Sequence, residues 1–400
     1  MDREQNQQFT RRAFLRTTAA GAAATGIGAL ATSALAGAEI AAKRPLLPAG
    51  VLGRTGFPVT LISFGSIRIG DKLGTRILKL AIDRGVNLVH TAANYSGGKA
   101  IRSVGDLFKA DKSYREKVFL CIKSYYPDRE SEIDDLLKTL NVEHAEAALT
   151  ELHEPDPARL EAIQRQQDSL KKKGKVRYTG FVCHKDMNGT LEMVLDRAPK
   201  YFDMALLSMA MIPGASGRRA QPAAEKGERF LKNLKALREK GVGVLSMKSG
   251  AQEATTKGET VFLPHAKLVL EAGADSVLTS VSTLDQVDMI AELALKSPHT
   301  RPADKQAAID FLHTRSGACM MCGDCTKSCP QNLPVADLMR FRMYNDEYGW
   351  PDHARAEYAA MGVDFAGLTA RCGDCQACAK VCPVHLASPA TVRDAARRLA

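Results

Sequence analysis

No run of five basic residues occurs in this 400-residue chain, although its formal net charge is +10; Lys171-Lys172-Lys173 followed by Lys175 is the densest patch. Lacking a basic arm or a binding motif, the chain offers nucleic acid no footprint. A mildly basic face of this kind suits an acidic redox partner instead. Strongly apolar runs are scarce as well. The charge-free stretch Thr17–Leu35 is rich in Ala, Gly and Thr and lacks the Leu, Ile and Val density of a membrane span. Cysteine is nearly absent from the first 318 residues, where only Cys121 and Cys183 occur, and the other eight lie between Cys319 and Cys382. Disulfide-stapled secreted domains are short and cysteine-dense throughout, so the late cluster points to metal ligation. Cys121 and Cys183 read as small buried apolar residues. No G-x-G-x-x-G follows the first strand-like run, which counts against a dinucleotide-binding doubly wound sheet.

What is present reads as soluble and globular, with 45% hydrophobic and 25% charged residues. Short apolar runs alternate with helix-period segments. The runs are Val59–Ser66, Val86–Ala92, Val118–Ser124, Ala145–His153, Tyr178–His184, Met204–Ala210, Gly241–Lys248 and Ser276–Ser282. Amphipathic stretches such as Leu73–Arg84, Ser131–Leu140, Pro157–Lys173 and Glu228–Lys240 separate them. Several close on a glycine, as at Arg84-Gly85 and Lys240-Gly241, the usual stop after a last helical turn. Short strands alternating with helices imply βα units and a parallel sheet. Eight such units predict an α/β fold, a (β/α)8 TIM barrel.

Active sites of such barrels lie at the C-terminal ends of the strands. The residues expected there are Ser66, Asn94, Tyr95, Lys123, Ser124, His153, Cys183, His184, Lys248 and Ser282. A lone Lys or His at a strand end is ordinarily a solvated residue. Tyr95, Lys123 and His153 arriving from three successive strands at one rim exceed what packing requires.

Residues 50–295 resemble the aldo/keto reductase superfamily. The likeness rests on Leu52-Gly53-Arg54-Thr55-Gly56-Phe57-Pro58-Val59 as an opening hairpin and on Ala81-Ile82-Asp83-Arg84-Gly85-Val86-Asn87 leading to Tyr95. It rests also on Val118–Lys123, on Glu151-Leu152-His153-Glu154-Pro155-Asp156-Pro157 and on Gly174–Gly180. The resemblance implies NADPH-dependent reduction of a carbonyl. Tyr95 would be the proton donor, Lys123 would lower its pKa, and His153 would orient the carbonyl. Lys248, Ser280 and Gln286 would border the NADP(H) cofactor. The chain departs from the family at three places. His90 stands where the family has an aspartate paired with the lysine, Val182-Cys183 replace a Ser-Asn pair that holds the nicotinamide amide, and the loop Thr279–Gln286 has no Lys or Arg. NADPH dependence is therefore left open, and His90 joins Tyr95, Lys123 and His153 as a catalytic candidate.

The C-terminal cysteines fall into two copies of C-x2-C-x2-C-x3-C-P, Cys319–Pro330 and Cys372–Pro383, the bacterial ferredoxin run for 4Fe-4S clusters. In two-cluster ferredoxins the fourth Cys of each run ligates the other cluster. Cys319, Cys322, Cys325 and Cys382 would then hold one [4Fe-4S] cluster, and Cys372, Cys375, Cys378 and Cys329 the second. Four Cys per run with a trailing Pro is a poor zinc pattern. The spacer Pro330–Arg371 is long, with helical character over Leu338–Asn345 and Ala354–Met361, and its Trp350 and tyrosines read as core packing. Asp304–Thr314 reads as a helix.

At the other end, Thr10-Arg11-Arg12-Ala13-Phe14-Leu15-Arg16 resembles the twin-arginine export signal, and Ala34-Leu35-Ala36 fits a cleavage site. Iron–sulfur clusters are assembled in a reducing compartment, and the twin-arginine route moves folded proteins. The expected organisation is a signal peptide over 1–36, the barrel over 37–303 and a small, mainly α-helical, ferredoxin-like iron–sulfur domain over 304–400. The expected protein is periplasmic and meets the membrane only in transit. It is an oxidoreductase that acts on a small-molecule carbonyl or alcohol and exchanges electrons with a redox partner protein. The alternative is an electron-transfer subunit whose barrel is a scaffold without NADP binding.

Overall fold

The computed structural model describes residues 47, 49–212, 221–249, 259–295, 306–307, 309–310, 319–362 and 364–400. The twin-arginine segment, the cleavage site and most of Asp304–Thr314 lie outside them. An antiparallel pair, β1 (Ala49–Val51) and β2 (Pro58–Thr60), opens the fold. Eight parallel strands then close into a barrel: β3 (Ile62–Gly65), β4 (Leu88–Ala92), β5 (Phe119–Ser124), β6 (Ala145–Glu151), β7 (Val176–Cys183), β8 (Met204–Ser208), β9 (Gly243–Met247) and β10 (Ser276–Thr279). Neighbours in space follow chain order, and β10 pairs with both β3 and β9. Each strand falls within or overlaps one of the eight apolar runs. Such runs are continuous because strands of a helix-covered parallel sheet are buried on both faces.

Two apolar layers hold the barrel. Its interior packs Leu88, Phe119, Cys121, Ala147, Leu149, Val182, Met204 and Leu206, with Leu52, Phe57 and Val59 of the β1–β2 hairpin closing one end. This closure needs glycine. Gly53 has φ +47°, and a Cβ there would come within 2.1 Å of the Gly243 amide nitrogen, so any side chain would push the hairpin off the barrel. A larger cluster, from Ile62 to Val287, packs the surrounding helices on the sheet. The helix Pro157–Lys172 shows why these segments begin where they do. The Asp156 side chain accepts from the Arg159 amide, and Pro157 occupies the first turn, where its missing N–H costs nothing.

The C-terminal unit is helical: Asp324–Lys327, Val335–Asp346, Pro351–Ala360, Phe365–Arg371, Ala377–Val381 and Pro389–Leu399. It has its own core of Leu333, Leu338, Phe341, Tyr358, Leu368, Val392 and Leu399. It is also built onto the barrel. Met320 and Val384 belong to the barrel's outer core, with Cys322 and Cys382 packed against it. Lys226–Asp324 at 2.6 Å, Lys327–Asp186 at 2.5 Å and Lys185–Asp337 at 3.2 Å bridge the two units. No helix among the described residues is long and apolar enough to cross a membrane.

Candidate active site and cluster-binding loops

The strand ends of the barrel face the spacer helices of the C-terminal unit, and a cavity lies between them. Gly65, Ile67, His90, Tyr95, Leu206, Met247, Lys248, Ser249, Leu278 and Ser280 form its barrel side, and Tyr344, Tyr348 and Trp350 form the other. The aromatic spacer residues are thus a cavity wall as well as packing, which corrects the reading of them as core alone. Trp350 meets Tyr348 edge-on at 5.1 Å between ring centroids, and the Arg68 guanidinium lies 5.8 Å from the Trp350 ring. Asn94 donates to Glu357 at 2.7 Å, tying the Tyr95 loop to the helix Pro351–Ala360.

Tyr95 lies three residues past β4, where Ser96, Gly97 and Gly98 all take positive φ and turn the chain sharply. Lys123 sits behind it, with its ammonium 5.4 Å from the Tyr95 ring centroid and 4.3 Å from that of Tyr125. The structure differs here from the expected tuning. Burial raises the Tyr95 pKa more than Lys123 lowers it, so the phenol is pushed up to about 12, protonated but a weaker acid than an exposed tyrosine. Lys123 spends its charge elsewhere, on Glu151 at 3.0 Å.

Glu151 is the residue that sequence reasoning missed. It ends β6, two positions before His153, and points to the same rim. Its second carboxylate oxygen lies 3.1 Å from His153 Nε2, and His184 Nε2 is 3.9 Å from the first. Burial opposes its ionisation, yet Lys123 and then His153 hold its carboxyl well below the usual range. Register explains the placement. Lys123 on β5 lies beside Leu149 on β6, so the residue two further along β6 returns to the same face. An acidic residue two before the histidine of the fourth strand was the available signal.

His90 is buried beside Tyr95, at 5.8 Å between ring centroids, with neither ring nitrogen hydrogen-bonded. Burial first, then Lys123 and Lys248, push it down to about 3, so it stays neutral and cannot replace an aspartate as a counter-charge. His153 is not among the residues lining the cavity, and its ring lies tilted against that of His184, 3.7 Å between centroids; both are held neutral chiefly by burial. The structure places His153 against Glu151 and His184, beside the residues that line the cavity. Glu151, His153 and His184 bring three ligand atoms within 4.8 Å of one another, the donor set of a metal site. Lys123 already occupies that carboxylate, and a divalent cation beside it would meet strong repulsion.

Lys248 and Ser280 line the cavity; Gln286 does not, and its side-chain oxygen accepts from the Ser282 amide at 2.8 Å. Val182 and Cys183 are fully buried, and the Cys183 thiol donates to the Lys185 carbonyl, its pKa raised to about 12 by burial. They offer a nicotinamide amide neither donor nor acceptor from a side chain. Cys183 and Cys121 are inert, buried thiols.

The eight late cysteines gather into two groups of four. Cys319, Cys322, Cys325 and Cys382 surround one pocket with Met320, Met339 and Leu386, and Cys329, Cys372, Cys375 and Cys378 surround another with Leu333 and Val335. None of the eight forms a disulfide. Amides of Leu386 and Ala387 approach Cys382 Sγ at 3.2 and 3.4 Å, and that of Met321 approaches Cys319 Sγ at 3.3 Å. Four sulfur donors around each apolar pocket, with amides directed at two sulfurs of the first, fit a four-iron cluster.

Comparison with known proteins agrees with this layout. Residues 62–242 match the aldo/keto reductase family, and residues 318–387 match the 4Fe-4S dicluster domain. The chain carries an aldo/keto reductase domain and a 4Fe-4S dicluster domain. Aldo/keto reductases are oxidoreductases. Among solved structures, the holo form of aldo-keto reductase AKR11C1 from Bacillus halodurans shares 16% identity with a TM-score of 0.51, over 66% of this chain and 96% of that one. MGS-M4, an aldo-keto reductase from a Medee basin deep-sea metagenome library, shares 14% with a TM-score of 0.50, over the same 66% and 96%. A Klebsiella pneumoniae aldo/keto reductase in complex with NADP and acetate shares 17% with a TM-score of 0.49, over 67% and 96%. At these identities the likeness to the first two is one of fold. No curated protein matches the chain.

Proposed function

We propose that the chain is an exported iron–sulfur oxidoreductase whose barrel interconverts a carbonyl and an alcohol while electrons pass through two 4Fe-4S clusters to or from a protein partner. The observation that carries this reading is Tyr95, a protonated phenol on the wall of an interdomain cavity, with the Lys123–Glu151 pair behind it. Conversion of a carbonyl to an alcohol takes two electrons and two protons. Tyr95 donates one proton to the carbonyl oxygen, water supplies the second to the carbonyl carbon and then reprotonates Tyr95, and the Lys123 ammonium, shared with Glu151, lies beside the phenolate. Cys319, Cys322, Cys325 and Cys382 would hold the cluster beside the barrel, and Cys329, Cys372, Cys375 and Cys378 the outer one, where Cys375 is exposed. When bound, each cluster supplies electrons singly. The exposed edge near Cys375 suits a redox partner, and the twin-arginine segment suits folded export to the periplasm.

NADP(H) has weak support in this chain, because Val182, Cys183 and the loop after β10 supply none of the groups the family uses. That favours the clusters as the electron route. It also keeps alive the second reading, in which the barrel is a scaffold for electron transfer. The test uses cluster-loaded protein reduced with dithionite and mixed with a panel of aldehydes and ketones. Cluster reoxidation, read in the visible spectrum, should slow by about 10²–10⁴-fold in Tyr95→Phe with the cluster spectrum unchanged. Reoxidation that no carbonyl accelerates, or that Tyr95→Phe leaves untouched, would establish the scaffold reading. A parallel NADPH titration should show no saturable binding.

A further inference from the structure

We propose that the cavity between the barrel and the spacer helices binds a ring compound bearing a carboxylate, with Lys248 as the group that holds the carboxylate. The proposal rests on the reading of that cavity as the reacting site. The argument begins with charge. Four other cations lie in this region: the Arg68 guanidinium sits against the Trp350 ring, and the other three each have a carboxylate. Lys123 has Glu151 at 3.0 Å, Arg340 has Asp337 at 3.0 Å and Glu357 at 3.4 Å, and Lys185 shares Asp337 at 3.2 Å. Lys248 has no carboxylate partner among the described residues; its ammonium lies 5.1 Å from the face of Tyr344. A cation–π contact compensates a desolvated ammonium only in part. Burial, then Arg340 and Lys123, press Lys248 toward its neutral form against the weaker pull of Glu357 and Glu151, and a bound anion would add to that pull.

Backbone geometry adds a second observation. Lys248 takes φ +53°, the left-handed region that a long side chain rarely enters. Strain of this kind persists where the surrounding structure imposes it, and it gathers at ligand sites. The side chain borders the same cavity as Tyr95.

The rest of the lining selects the remainder of the ligand. Tyr344, Tyr348 and Trp350 present ring faces and edges on one side, and Ile67, Leu206, Met247 and Leu278 present apolar surface on the other. Walls of this type take a flat-faced ring, while a few polar groups set its orientation. Those groups are Tyr95, neutral His90, Ser280 and Lys248. A carboxylate on the ammonium would leave the ring between the aromatic wall and the strand ends, with Tyr95 free for a carbonyl or hydroxyl.

Calorimetric titration of cluster-loaded protein tests this with two matched pairs, benzoate against benzyl alcohol and glucuronate against glucose. At least one acid should bind about tenfold or more tightly than its neutral partner, and Lys248→Met should erase that ratio while Lys248→Arg keeps it. Benzoate alone would specify aromatic acids, glucuronate alone sugar acids. Cluster absorbance and far-UV circular dichroism report whether the variants are folded, and if they are not, the wild-type ratios decide. Equal binding of acid and neutral partner, no binding of either acid at millimolar concentration, or a ratio that survives Lys248→Met would overturn the proposal. So would NADPH binding that depends on Lys248 and that neither acid displaces. Binding is read without turnover, so this result is independent of what Tyr95→Phe does to reduction.

Discussion

Replacing Glu151 by Gln removes the carboxylate that pairs with Lys123 among the described residues, and the consequence can be sized. At 3.0 Å and an effective dielectric constant near 20, the pair attracts by about 5 kcal/mol. Breaking a buried pair by deleting one partner costs about 3–5 kcal/mol, because the other charge stays buried alone. The exposed pair Arg165–Glu161, at 3.9 Å, provides a control whose loss costs under about 1 kcal/mol. Amide hydrogen exchange of β5 and β6 in the cluster-loaded protein reads the difference without requiring reversible unfolding. At about 1.4 kcal/mol per tenfold, exchange should accelerate by between two and four orders of magnitude in Glu151→Gln, and by less than one order in Glu161→Gln. The sign of the pH dependence follows from the depressed Glu151 pKa. Its stabilising effect is present above the unfolded carboxyl value of about 4.3 and fades as pH falls through the lower folded value. Wild type and Glu151→Gln should therefore converge in acid and differ by a constant amount from pH 6 to 8. A change under tenfold at pH 7, or a double variant Glu151→Gln/Lys123→Met no more protected than Glu151→Gln, would refute the pairing.

Crossed ligation predicts that Cys329→Ala impairs the outer cluster, the one with Cys372, Cys375 and Cys378, while Cys382→Ala impairs the one against the barrel. Iron content with electron paramagnetic resonance separates the two, and eight irons with both clusters intact in Cys329→Ala would contradict the crossing. Gly323 takes φ +81°, and an added Cβ would lie 3.3 Å from Asp186 Cβ. Gly323→Ala should loosen the docked loop by about 1 kcal/mol, seen as faster exchange at the amides of Asp324–Ser328. A fusion in which Arg11 and Arg12 are both Lys should lose export of a reporter that the native segment carries out of the cytoplasm.

Much of this molecule was legible as a string because its signals are local. Eight apolar runs separated by helix-period segments specify a βα repeat. A parallel barrel is the way such a repeat buries both faces of every strand, and the observed strands fall on those runs. The two cysteine runs are equally local, since three thiols within seven residues lie on one loop whatever surrounds them. Tyr95, Lys123 and His153 could be placed at one rim because each lies at or just beyond a strand end.

What the string left open depends on contacts between distant segments. His90 marked the loss of an acid beside Lys123, but only the β5–β6 register shows that Glu151 supplies one from the neighbouring strand. Burial of Tyr95 decides that its phenol rises toward 12 although a lysine stands behind it, because desolvation depends on the finished packing. His153 is at the expected rim yet not among the cavity-lining residues, and Glu151 and His184 hold its ring. Tyr344, Tyr348 and Trp350 read as core residues of a spacer until the C-terminal unit docks on the barrel and turns them into a wall. The spacing of the cysteines bears on which three share a loop; which fourth thiol joins them, Cys382 or Cys329, is a matter of how two loops 42 residues apart are brought together by the helices between them.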